Sequence, residues 1–203
     1  LPGTRDPLGE TQPWYVLFEI SSLQSQADAE VEVEAIFSDA FDRGIVDDGV
    51  QARSIDQMEA FWRIRHGLSE VQKFEGGSIK HDVAVPRASV PAFIAEAGEA
   101  VTRFMPGCRP FPFGHIGDGN IHFNVSQPVG MDKTEYLARW SEMNAIVHEV
   151  VARFGGTISA EHGIGVLKRD LLPTVKSEVE MEMMRTLKSA FDPNGILNPG
   201  KVL

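Results

Sequence analysis

The chain has 203 residues, 42% of them hydrophobic and 24% charged, which is enough apolar material for one domain or two small ones. Nineteen Lys and Arg against 29 Asp and Glu leave a net charge of -10, the wrong sign for a general nucleic-acid binder or a basic membrane-surface protein. The lone cysteine, Cys108, excludes an internal disulfide framework and any CxxC metal site, and no apolar run approaches the roughly 18 residues needed to span a bilayer.

The chain opens Leu1-Pro2-Gly3-Thr4, with no initiator Met, basic n-region or apolar h-region, and reads as starting inside a longer protein. Residues 14–20 (Trp14-Tyr15-Val16-Leu17-Phe18-Glu19-Ile20) are aromatic and β-rich and predict a buried strand. Residues 28–43 turn helical, with Val33, Ile36, Phe37, Ala40 and Phe41 on one stripe and Gly44 as the stop. Residues 46–52 predict a second strand and 55–73 a second helix, broken by Gly76-Gly77. Residues 78–85 alternate as a strand that Pro86 ends, and 90–104 form a helix that Pro106-Gly107 terminates.

Two β-like runs then flank Asp118-Gly119, a strong hairpin signal. The longest helix is expected over 133–154, capped by Asp132 and closed by Gly155-Gly156, with Tyr136, Trp140, Met143, Val147, Val150, Val151 and Phe154 on one stripe. Residues 157–166 read as loop and short strand, and 176–191 as the final helix. Strands and helices mixed at irregular spacing, with a hairpin, predict an α+β fold: an antiparallel sheet with helices over one face.

Three clusters carry possible chemistry. If Asp118-Gly119 form a type I′ turn, His115 faces His122 across the hairpin, close enough for two imidazoles to share a metal ion, with Asn124 on the same face. A one-residue slip would separate the pair. Gly114, Gly117 and Gly119 clear side-chain bulk for a ligand or another backbone. The second cluster, Ser159-Ala160-Glu161-His162-Gly163-Ile164-Gly165, offers a carboxylate ligand and an imidazole; two His and one carboxylate leave coordination positions open, as in a catalytic metal site. His162 is then the acid or base. The third is Trp62-Arg63-Ile64-Arg65 with Ser69 one helical turn on and Lys80 on the following strand, a set suited to an anion.

Plainer readings coexist with these: partly exposed strand histidines, a surface Glu-His pair, and an Arg65 salt bridge to one of the many acids. His66, His81 and His148 show no convergent partners, and Cys108 reads as an inert small residue. No Rossmann fingerprint or P-loop is present.

Taken in order, the runs 114–125, 159–165 and 191–201 (Phe191-Asp192-Pro193-Asn194-Gly195-Ile196-Leu197-Asn198-Pro199-Gly200-Lys201), with Trp14-Tyr15-Val16-Leu17 and Trp62-Arg63-Ile64-Arg65, resemble the C-terminal half of FAD-linked oxidases of the vanillyl-alcohol oxidase superfamily. The similarity is greatest to the D-2-hydroxyglutarate and D-lactate dehydrogenase branch. The resemblance implies a ferredoxin-like substrate- and metal-binding cap over the whole chain, with the FAD domain N-terminal to it. It implies His115, His122 and Glu161 as ligands of a divalent metal (zinc, or manganese or iron), and His162 as the catalytic base. Arg65, Ser69, Lys80 and Asn124 become substrate contacts, and Asn198 a cofactor contact.

Lys80 favours a dicarboxylate within that family, with D-lactate or glycolate as the alternative acids. The implied partners are a small 2-hydroxy acid, the FAD domain, an electron acceptor and a second copy of the protein, in the bacterial cytoplasm or the mitochondrial matrix. Two readings outside the family stay open on the residues alone: a metal-dependent hydrolase and a non-catalytic organic-acid-binding module.

Overall fold

The computed structural model describes residues 2–203 and divides into two units, Leu1–Val71 and Gln72–Leu203. The first carries two helices, α1 (Gln26–Asp42) and α2 (Ile55–Val71). Ser25 caps α1 by accepting the Asp28 N–H, and Gly44, at φ 64°, follows its end. Phe37 lies 5.7 Å from Phe18 and 6.3 Å from Phe41, ring centre to ring centre, and Trp62 Nε1 donates to Glu19 at 2.9 Å.

Neither strand expected here forms. Residues 14–20 have no ladder partner among the described residues, and Trp14 and Val16 are 63% and 78% exposed. A β-prone run without a neighbour leaves its backbone groups unpaired and does not hold as a strand. In 46–52, Asp47-Asp48-Gly49 interrupts the run with poor strand formers.

The second unit is built around an antiparallel sheet. β1 (Ser78–Ile79) and β2 (Asp82–Ala84) lie end to end along one side of β4 (Asn120–Ser126), and β3 (Arg109–His115) lies along the other. β1 and β2 are the single strand expected over 78–85; His81 keeps the line by accepting the Phe123 N–H at 3.0 Å. Thr157 bridges Ala84 on the outer side, which adds one more residue pair of sheet. With α3 (Val90–Phe104) and α5 (Trp140–Arg153) as the crossovers, the order is β-α-β-β-α-β, the split βαβ arrangement.

The two-residue periodicity of β4 sorts its side chains. Ile121, Phe123 and Val125 join Ile79, Val83, Phe93, Val101, Val147 and Val151 in the core, while Asn120, His122 and Asn124 face the other way. Tyr136 is fully buried and its hydroxyl donates to Val125 O at 2.5 Å.

The helix expected over 133–154 is two helices, α4 (Lys133–Ala138) and α5, so the longest helices are α1 and α2. Arg139 interrupts it at ψ 11°: its N–H closes a tight turn on Tyr136 O, and its guanidinium lies over Phe104 and pairs with Glu142. A short α6 (Leu172–Val175) precedes α7 (Glu178–Phe191), which starts on a reciprocal Ser177–Glu180 capping box. The Asp192 carboxylate, buried after α7, accepts from the Ile196 and Leu197 N–H groups and from Lys188, and so folds the tail back.

Candidate functional site

The hairpin register differs from the expected one. His115 pairs with Asn120 and Phe113 with His122, so the loop has four residues, 116–119. A type I′ turn would need positive φ at Asp118, and only Gly119, at 76°, has it. Gly119 is instead held by the neighbouring strand: its carbonyl accepts the Val85 N–H, and a Cβ there would lie 2.0 Å from Val85 O. Gly114 similarly gives room to Asn120 O, whereas a Cβ on Gly117 would meet nothing. Gly114 and Gly119 thus serve backbone packing. Because the slip is two residues, both histidines stay on one face, now as diagonal neighbours.

That face receives the loop after Thr157. Glu161 reaches between the histidines: His115 Nδ1 is 3.7 Å from Oε1 and His122 Nε2 is 3.4 Å from Oε2. Donor atoms sharing a tetrahedral ion at bond lengths of about 2.0–2.2 Å stand roughly 3.4 Å apart. The two imidazoles and the carboxylate suit a divalent metal in chemistry, with each imidazole beside a different oxygen of Glu161. Phe113 packs against the His122 ring at 5.1 Å, leaving that side chain 19% exposed. The His162 ring is 5.8 Å from that of His122 and its side chain 65% exposed, accessible for proton exchange.

Asp82 is the residue the sequence reading passed over. Its side chain is 1% exposed, and Oδ2 accepts the backbone N–H groups of Ala160, Glu161 and His162 at 3.0, 2.8 and 2.8 Å. Oδ1 accepts the Asn120 amide at 2.9 Å. Burial alone would raise its pKa; the His162 and Glu161 N–H groups, the Asn120 amide and the nearby His162 outweigh burial and hold it below the usual carboxylate range. Asp82, His122 and His162 have potential ligand atoms within 4.8 Å of one another. With Oδ2 already taken by three donors, however, Asp82 has little capacity left for an ion. An Asp in a strand between Ile79 and Val83 was the available signal, since a buried charge requires partners.

Of the other expected contacts, Asn124 is buried on the site face with its amide nitrogen bonded to Gln72 Oε1 at 2.8 Å. Lys80 follows the same alternation to this face and is exposed. Arg65 and Ser69 share a face of α2 in the first unit. Asn198, exposed in the tail, adopts φ 47°.

The histidines read as lacking partners have them. His66 stacks on Trp62 at 5.6 Å. Behind the sheet, His81 is 2% exposed, its ring 5.9 Å from His148, and its Nδ1 lies 2.7 Å from Phe123 O. Desolvation, with smaller contributions from His148 and Lys168 set against the Phe123 bond, lowers its pKa to about 4. Burial and then Lys168 do the same for His148, also to about 4. Cys108 is buried, which raises its thiol pKa and fits an inert residue.

Fold and face together define an α+β domain that gathers imidazoles and carboxylates on one side of an antiparallel sheet. Residues 2–202 match the family described as "FAD linked oxidases, C-terminal domain", and the chain belongs to that family. It is 40% identical over 190 residues to a D-2-hydroxyglutarate dehydrogenase of Stutzerimonas stutzeri, covering 94% of this chain and 40% of that protein. It is 34% identical to a mitochondrial D-2-hydroxyglutarate dehydrogenase of Arabidopsis thaliana, covering 100% of this chain and 35% of that one. To a D-2-hydroxyglutarate–pyruvate transhydrogenase of Saccharomyces cerevisiae it is 32% identical, covering 97% and 40%. The chain thus spans about two fifths of the length of these relatives. Among the described residues no helix is long and apolar enough to cross a membrane.

Proposed function

We propose that this chain is the substrate- and metal-binding part of a flavin-dependent D-2-hydroxy-acid dehydrogenase acting on D-2-hydroxyglutarate. The observation that carries the reading is Glu161 standing within 4 Å of both His115 and His122, in a member of the FAD-linked oxidase family. The relatives named for D-2-hydroxyglutarate support the choice of acid.

His115, His122 and Glu161 hold the divalent ion, and the intact protein holds FAD mainly outside these residues. When bound, the ion supplies Lewis acidity toward an α-hydroxy acid and the flavin a hydride acceptor. His162 accepts the hydroxyl proton on its imidazole as the C2 carbinol becomes a carbonyl. Lys80, as a point charge, is the contact for the distal carboxylate on the sheet, and Arg65, by its two-pronged guanidinium, is a substrate-carboxylate contact carried over from the family resemblance. Ser69 and Asn124 orient the remaining substrate oxygens.

The test is D-2-hydroxyglutarate-dependent reduction of an artificial electron acceptor by the full-length, flavin-loaded protein. Turnover is expected to vanish on stripping with a strong chelator and to return with a divalent metal. His162→Ala should keep its flavin and lose turnover. Near-normal rates in that variant sink the base assignment, and no oxidation of any D-2-hydroxy acid by the loaded protein sinks the whole reading.

A further inference from the structure

Resting on that reading of the site, we infer that Asp82 is a positioning residue: its carboxylate fixes the loop that carries Glu161 and His162 against the strand that carries His122. Three consecutive backbone N–H groups, of Ala160, Glu161 and His162, converge on the single oxygen Oδ2. Their convergence curls the loop around the carboxylate and sets where the Glu161 and His162 side chains leave the backbone. The acceptor is itself fixed, because Asp82 sits in β2 directly opposite His122 of β4.

The Asn120 amide holds Oδ1 and leaves Oδ2 facing the loop. Ala160 N also lies 3.3 Å from the Asp82 backbone carbonyl, so main chain and side chain of one residue grip the same segment. Among the remaining ties of residues 159–163, Ser159 Oγ donates to Gly163 O and the Ser159 N–H donates to Thr157 Oγ1, both internal to the loop. The bonds that Asp82 accepts refer it to the sheet. Bonds from neutral donors to an ionised, buried acceptor are roughly twice as strong as neutral pairs, which suits an anchor for a loop whose own side chains are exposed.

An anchor and a metal ligand make different demands on one carboxylate. An ion at Oδ2 would have to displace N–H donors at 2.8–3.0 Å, whereas the Glu161 oxygens stand at 3.4 and 3.7 Å from their imidazoles. Asp82 therefore acts on the chemistry through Glu161 and His162.

The experiment compares Asp82→Ala and Asp82→Asn with the unaltered full-length flavoprotein by amide hydrogen exchange and by steady-state kinetics at saturating metal. Ala removes the acceptor; Asn keeps one oxygen for the three N–H groups and removes the charge. Exchange is expected to accelerate at least roughly tenfold in the peptide covering 158–165 in the Ala variant, and to stay unchanged in the peptide covering β4. A misplacement of about 1 Å costs on the order of 100-fold in rate, so kcat should fall by about that factor in Ala and about tenfold in Asn. KM should stay within roughly threefold, because Arg65 and Lys80 are untouched.

Unchanged exchange at 158–165 overturns the inference, as does kcat within about twofold of the parent. Acceleration spread through β4 also overturns it, by making Asp82 a fold residue alone, and so does loss of metal with the loop still protected. If the Ala variant does not accumulate, the Asn variant carries the same comparison. The exchange contrast stands even if the parent oxidises no 2-hydroxy acid, so failure here and failure of the proposed activity are distinguishable.

Discussion

His122 Nε2 lies 3.4 Å from Glu161 Oε2, too long for a good hydrogen bond and the right separation for two donors sharing one ion. The pair joins the central strand to a loop 39 residues further on, so the site depends on tertiary closure. Removing one member should cost more than the 10–100-fold typical of residues that merely support a ligand. In the intact protein His122→Ala is expected to lower divalent-ion affinity at least about 100-fold, read as metal content after dialysis against a graded chelator. His66→Ala, on α2, should leave it unchanged. Equal retention by the parent and the His122 variant would falsify the ligand assignment.

Gly119→Ala tests how the hairpin is held. The residue sits at φ 76°, and an added Cβ would meet Val85 O at 2.0 Å, which is backbone and cannot swing aside. Left-handed strain and the clash act together, so a loss of at least about 2 kcal/mol is expected in chemical denaturation of the second unit. Gly117→Ala, where nothing stands within 4 Å and φ is not positive, should be near neutral. Similar losses at both positions would mean that the loop is not braced by Val85.

These contrasts mark how far the sequence is legible. The helix over 90–104 is legible, because the Pro106-Gly107 stop closes an apolar stripe whose partner is the adjacent sheet. Face assignment at the site is also legible, since a two-residue slip preserves parity and both His115 and His122 stand within 4 Å of Glu161. What local pattern could not supply was contact from a third segment. Val85 sets the loop at Gly119, the 160–162 backbone engages Asp82, and His148 comes to His81 from a helix 67 residues away. The run 14–20 fails for the complementary reason: its propensity is real, but a strand is a pairing, and no described residue pairs with it.

Tyr136→Phe isolates one buried hydrogen bond. The ring is fully buried and the hydroxyl donates to Val125 O, a carbonyl on the edge of the β1–β4 pairing. Deleting the hydroxyl keeps the packing and leaves that carbonyl without this donor, for an expected loss of about 1–2 kcal/mol. The denaturation midpoint should move with the slope unchanged. A midpoint equal to the parent's would show that the bond contributes nothing net.

His81 and His148 make the second unit sensitive to mild acid. Both are held neutral in the fold with pKa values of about 4, against 6.5 when exposed. Between pH 6.5 and 4 the unfolded chain binds protons that the folded chain refuses, so stability falls as pH drops through that window and is flat, for these groups, above it. At about 1.4 kcal/mol per pKa unit, His81 alone contributes a loss on the order of 3 kcal/mol by pH 4. Carboxylates dominate below pH 5, so the informative interval is pH 7 to 5. There His81→Leu, which cannot take up the proton, should lose less stability than the parent even though it gives up the bond to Phe123 O. Chemical denaturation of both proteins at pH 7, 6 and 5 decides it, and parallel slopes would remove His81 from the acid response.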